Sequence, residues 1–154
     1  IDMPVPYVQP HKRISRSVIE EDFERVIRDA KIMSELCSKP HGVHPAALAI
    51  AHPQINDTDP LRFFATDSEI FVNPMIVQHS NYTIIKKEGC MSFPDKYTTT
   101  VQRWHKIEVE YYLLSVEDEK MHLSHVTRCK FSGLQAEVFQ HEIDHFDGKY
   151  IFDI

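Results

Sequence analysis

Residues four apart share one face of an α-helix, and the run Gln140-His141-Glu142-Ile143-Asp144-His145 places two histidines at that spacing. Both imidazoles can then aim a nitrogen at one ion, while Glu142 can reach a water there without being a ligand itself. Two imidazoles do not complete a catalytic metal centre, which takes three protein ligands and keeps one position open. The fold is constrained accordingly, because another part of the chain has to meet this helix and deliver the third donor.

The downstream route is nearly closed. Only nine residues follow His145, and none is Glu or His. The longer pattern H-E-x-x-H-x-x-G-x-x-H matches at Gly148 but ends on Ile151. Asp147 and Asp153 remain formal candidates, although Asp147, two positions past His145, points to a different helix face. Upstream, Cys90 is the best candidate: a thiolate flanked by Gly89 and Ser92 can approach an ion closely, and a metal keeps it deprotonated.

Composition excludes some partners. With 42% hydrophobic and 26% charged residues in 154, the chain reads as one globular domain, 1–154, able to bury a core. A net charge of −6 argues against nucleic acid or an anionic membrane as partner. No apolar run approaches the roughly 18–20 residues that span a bilayer. Cys37, Cys90 and Cys129 are an odd number, which fits free thiols in a reducing compartment. The chain opens on Ile1 with no signal peptide visible, so a start residue or a longer presequence is expected to precede it.

Pro4, Pro6 and Pro10 mark residues 1–16 as an extended arm lying on the body. Ser17-Val18-Ile19-Glu20 reads as a capping box, followed by apolar residues at helical spacing from Ile19 to Cys37 and a stop at Lys39-Pro40. Residues 43–56 read as short strand and loop. Leu61–Thr66, Glu69–Gln78, Tyr82–Lys87, Thr98–Val101, Lys106–Val116 and Met121–Phe131 read as strands, with Asn73-Pro74 a bend or an edge and Glu117–Lys120 a polar turn. Leu134–Phe146 is the second helix, Gly148 its C-terminal cap, and Lys149–Asp153 a last short strand. The predicted class is α+β, with mostly antiparallel sheets packed around the C-terminal helix and an additional N-terminal helix.

Glu88-Gly89-Cys90-Met91-Ser92 followed by His141-Glu142-Ile143-Asp144-His145 resembles the peptide deformylase family, whose hallmarks are E-G-C-x-S and H-E-x-D-H. The resemblance extends through Asn73-Pro74, Pro94, Gly133-Leu134, Gln140 and Asp147-Gly148. A further family motif, G-x-G-L-A-A-x-Q, is matched in part by residues 47–54: Gln54 is kept, Ala47 and Ala49 stand where the family has glycine, and His52 replaces an alanine. The end at Ile154 resembles the short C-termini of bacteriophage members.

Members of that family remove the N-formyl group from the initiator methionine of nascent chains. The resemblance implies that Cys90, His141 and His145 bind a divalent metal, Fe²⁺ foremost, with Zn²⁺, Ni²⁺ or Co²⁺ as substitutes. It makes Glu142 the general base toward a water that the ion acidifies, and makes the Gln54 side chain and the Met91 backbone N–H the oxyanion donors. Leu48, Ala49, Leu134 and Val138 match the substrate-binding residues, and Asp144 takes a supporting role with Arg103 as partner. N-formylmethionyl nascent peptides near the ribosome are the expected partners of a monomer. The expected setting is a bacterial or phage-infected cytoplasm, or an organelle if a transit peptide has been removed. The competing readings are a zincin-like protease, which needs a ligand beyond His145, and a deformylase-fold binding module with weakened or lost activity, which only the altered Ala47–Ala49 loop supports. Cys37 and Cys129 read as structural. The remaining histidines read as surface or loop residues, although His44 and His52 could supply a proton donor if their loop lines the site.

Overall fold

The computed structural model describes residues 6–40, 46–93, 98–118 and 120–154. Helix α1 (Phe23–Ser38) follows a 3₁₀ turn at Glu20–Asp22. Strand β1 (Ile50–Ala51) runs into a second 3₁₀ turn, His52–Gln54. Next come β2 (Phe63–Ala65), β3 (Ile70–His79), β4 (Thr83–Glu88), β5 (Thr99–Trp104), β6 (Lys106–Glu117), β7 (Lys120–Leu123), β8 (Thr127–Ser132) and α2 (Gly133–Phe146). Strands β1-β2-β3-β6-β7 are neighbours in that order, with β8 also on β6, while β4 and β5 form a separate two-stranded sheet. Every pair of named strands is antiparallel, in keeping with the expected α+β class of mostly antiparallel sheets.

Side chains alternate across a strand, and here the alternation separates two cores. Ile50, Phe63, Ala65 and Val72 pack with Val26, Ala30, Met33 and Leu36 of α1. Their chain neighbours Ala51, Phe64 and Phe71 pack on the other face with Ala136, Phe139 and Phe146 of α2. The sheet is thus covered by one helix on each face. Phe64, Phe71, Tyr111 and Phe139 meet with ring centroids 4.8–5.7 Å apart. Each such ring contributes about 1.5–3 kcal/mol on burial, and this cluster fixes α2 against the sheet.

The described part of the N-terminal arm lies on the body as expected. Val8 N–H donates to the Gln54 carbonyl (3.0 Å), Ser15 N–H to that of Phe146 (2.8 Å), and Arg16 N–H to that of Pro60 (3.1 Å). Helix α1 ends before Lys39, whose extended backbone satisfies the restriction that Pro40 imposes on the residue ahead of it. Beyond α2, Gly148 takes φ 72° and donates its N–H to the His145 carbonyl.

Four local expectations are corrected and one is sharpened. The helix entry is not capped by Ser17: Asp22 reaches back to accept the Ile19 N–H (3.0 Å) while its carboxylate also takes two bonds from Arg16 (2.8 and 2.9 Å). Asn73-Pro74 is a bend placed where the pairing with β2, which covers Ile70 to Val72, comes to an end. Asn73 takes φ 50° at a register shift and exchanges two side-chain bonds with the Val18 backbone. Residues 121–131 are two strands, because the Ser124 hydroxyl accepts the Leu113 N–H and interrupts the ladder (2.9 Å). Consequently His122 and His125 do not share a strand. Residues 149–153 form a turn instead of a strand, with Asp153 accepting the Tyr150 N–H. His44, Pro94 and Glu119 lie outside the described residues.

Candidate active site

The turn after β4 brings Cys90 against α2. Its carbonyl accepts the Phe93 N–H (2.9 Å), so the chain folds back at Cys90–Phe93 and brings the thiol to the helix. The donor atoms of Cys90, His141 and His145 lie within 4.8 Å of one another. Cys90 Sγ is 3.5 Å from His145 Nε2.

Both imidazoles are oriented from behind. His141 Nδ1 donates to Glu88 Oε1 (2.8 Å), and His145 Nδ1 donates to the Lys149 carbonyl (3.0 Å). Each ring therefore turns Nε2, with its lone pair, toward Cys90. Glu88 is itself clamped by Arg103, whose Nε and Nη2 donate to its two oxygens (2.8 and 2.7 Å), while Nη1 donates to Asp144 (2.6 Å). Burial opposes ionisation of Glu88, but these bonds and that from His141 hold its carboxyl down to about 2. The expected Asp144–Arg103 contact is present. Less visible in sequence was that Arg103, on β5, joins both carboxylates, although Glu88 belongs to the same motif as Cys90.

Glu142 sits beside this cluster, 2% exposed, and its Oε2 is buried with no hydrogen-bond partner among the described residues. Burial pushes its carboxyl up to about 7. Gln54 arrives on the turn after β1. Its Oε1 accepts the Ala51 N–H (2.9 Å), which leaves Nε2 to donate to Ser92 Oγ (3.0 Å) and toward Cys90 Sγ (3.6 Å). Gln140 faces away from the cleft and sews α2 to β5 by accepting the Trp104 N–H and donating to its carbonyl.

An open cleft of about 500 Å³ joins these groups, lined by Leu48, Ala49, Leu134 and Val138 together with Gln54, Cys90, Met91, His141 and Glu142. Leu48 and Leu134 are 68% and 58% exposed, so they form its rim and are not core residues. Behind it, the Tyr150 ring lies 4.8 Å from that of His145, and Phe93 packs edge-on against Tyr150 and Phe152.

One sequence expectation fails here. His52 is fully buried and faces away from the cleft: Nδ1 accepts the Leu61 N–H, Nε2 donates to Asp29, and the ring stacks on Phe63. It is neither a surface residue nor a proton donor at the site. The downstream ligand candidates are also engaged elsewhere, Asp147 with Arg62 (3.1 Å) and Asp153 with Lys12 (3.0 Å).

A thiol and two Nε2-presenting imidazoles beside an unpaired buried carboxyl fit a divalent ion, with the cleft leaving a side open. On an α+β scaffold this arrangement fits a metal-dependent hydrolase. The family model for polypeptide deformylase matches residues 10–154. The chain belongs to the polypeptide deformylase family, hydrolases that remove the N-formyl group from nascent polypeptides. A peptide deformylase of Thermus thermophilus is 32% identical over 86% of this chain and 71% of its own length. That of Karelsulcia muelleri is 35% identical over 55% of this chain, a span of 40% of that protein. Among solved structures, a Thermus thermophilus peptide deformylase superimposes with a TM-score of 0.72 at 29% identity, over 96% of this chain and 83% of its own. A probable peptide deformylase from Synechococcus phage S-SSM7 does so with a TM-score of 0.70 at 27% identity, over 92% and 90%.

Proposed function

We propose that this chain hydrolyses N-formylmethionyl peptides at the cleft beside α2, using Cys90, His141 and His145 as the metal ligands and Glu142 as general base. The observation that carries this reading is the convergence of those three donor atoms within 4.8 Å beside the unpaired Glu142 carboxyl. A divalent ion held there, Fe²⁺ foremost and Zn²⁺, Ni²⁺ or Co²⁺ in its place, would acidify water and polarise a carbonyl.

The rest of the chemistry falls to side chains. Glu142 takes a proton from the attacking water and delivers it to the amine nitrogen as the formyl C–N bond breaks, so that formate and a free N-terminus leave. Gln54 Nε2 and the Met91 backbone N–H donate to the oxygen on which negative charge develops. Leu48, Leu134 and Val138 receive the methionine side chain, with Ala49 lining the substrate cleft beside them, which accounts for two leucines standing exposed at the rim. Glu88 and the Lys149 carbonyl hold the imidazole orientations, and Arg103 holds Glu88.

The chain is taken to act as a monomer on nascent chains in a bacterial or phage-infected cytoplasm or an organelle. A relative in Oryza sativa bears the name of a chloroplastic peptide deformylase. Among the described residues no helix is long and apolar enough to cross a membrane. The test is formate release from formyl-Met-Ala-Ser by anaerobically purified, metal-loaded protein. Absence of formate would refute the reading, and cleavage of an unformylated peptide would point to a protease instead.

A further inference from the structure

Among the described residues lining the cleft, Glu88, Glu137 and Glu142 are acidic and Lys87 is the one lysine or arginine. Two of the acids have cations of their own: Glu88 is bound by Arg103, and Glu137 faces Lys86 at 3.9 Å. Lys87 is exposed, and among the described residues no ion pair engages it. Among the described residues it is the cleft's uncompensated cation.

Its position on β4 gives that charge a use. Burial alternates along the strand, with Lys86 and Glu88 turned inward and Ile85 and Lys87 outward. Among the described residues β4 pairs only with β5, which leaves its other edge for an extended chain, and Gly89, which continues that edge, lines the cleft together with Ala47–Ala49. With the formyl group at Glu142 and methionine at Leu134, a peptide leaving along this edge advances about 3.3 Å per residue. Its second or third side chain then comes within reach of the Lys87 ammonium, three positions before Cys90.

We propose that Lys87 is a specificity-determining residue that favours formyl-methionyl peptides with Asp or Glu at the second or third position over those with Lys or Arg. The inference rests on the deformylase reading above. A solvent-exposed pair of this kind is worth about a two- to five-fold preference in kcat/KM, larger at low salt.

The experiment measures kcat/KM for C-terminally amidated formyl-Met-Xaa-Ala and formyl-Met-Ala-Xaa, with Xaa as Glu, Ala or Lys, at low and high salt. The expected result is a Glu-over-Lys preference at one of the two positions, compressed by salt, cancelled in Lys87→Gln and reversed in Lys87→Glu. Lys31→Glu, an exposed change of equal charge on α1, should keep the wild-type ratio. A Glu-to-Lys ratio that is the same in Lys87→Glu and wild type overturns the assignment while leaving the deformylase reading intact. No formate from the Ala peptides with metal-loaded wild type overturns that reading, and the role of Lys87 with it.

Discussion

Arg103 and Glu88 form a bidentate ion pair at 2.7 and 2.8 Å, each side chain 4% exposed, directly behind His141. The pair joins β5 to the end of β4, and through Asp144 and His141 it reaches α2. A buried pair of this kind is weak evidence of stability by itself, yet breaking one side of it costs about 3–5 kcal/mol. Its value here is orientation, because the same carboxylate that neutralises Arg103 fixes the His141 tautomer.

Glu88→Gln tests that role. The amide preserves shape but gives Arg103 no charge and His141 a weaker acceptor, so metal affinity should fall about 10–100-fold with the fold retained. Competition against a chromogenic chelator reads the affinity, and circular dichroism checks the fold. Wild-type affinity in the variant would show that Glu88 does not orient the ligand.

Glu142→Gln should separate binding from chemistry. Glu142 contributes no donor atom to the Cys90–His141–His145 cluster, so the variant should keep its metal. Loss of the base should lower kcat by about 10²–10⁴. Full turnover with normal metal content would assign the proton transfer elsewhere.

How much of this was legible follows the range of the interactions involved. The ligand pair on α2 could be read because i, i+4 spacing is a local property of a helix, and Cys90 because the tail beyond His145 offered so little. Strand alternation likewise disclosed the sheet, and the proline of Asn73-Pro74 marked a bend or an edge in it. What escaped depends on distant partners. His52 looked like a loop residue because its partners, Asp29 and Leu61, lie on other elements. The break at Ser124 was hidden because a hydroxyl in a β-rich run gives no sign that it will replace a backbone acceptor. The turn at 149–153 resembles a strand in sequence, but Asp153 and the contacts of Tyr150 with His145 and Phe93 hold it in place.

Gly148 links the helix end to the arm and admits no side chain. It adopts φ 72°, and a Cβ there would stand 2.7 Å from the Lys12 carbonyl oxygen. Gly148→Ala should therefore lose about 1–3 kcal/mol from backbone strain alone, and displacement of Lys149 should loosen His145. Urea unfolding reads the first effect and metal affinity the second. A midpoint equal to wild type would show that the arm yields without cost.

His52 makes the stability of the fold depend on pH. Burial is the largest influence on it and lowers its pKa below the ordinary histidine value, against the raising effect of Asp29. The neutral ring is required, since Nδ1 must accept the Leu61 N–H while Nε2 donates to Asp29. In the unfolded chain it takes up a proton near pH 6.5. Between that pH and its lower folded value the unfolded state binds more protons, so stability rises with pH. The contribution is complete above about pH 6.5 and is lost as pH falls through this window, by at most about 1.4 kcal/mol per pH unit. His52→Asn keeps an acceptor at the δ position but cannot titrate. The variant should start less stable at pH 7.5 and lose less than wild type on the way to pH 5.5. Urea midpoints of the metal-loaded proteins across that range measure the difference, and parallel profiles would remove His52 from the pH response.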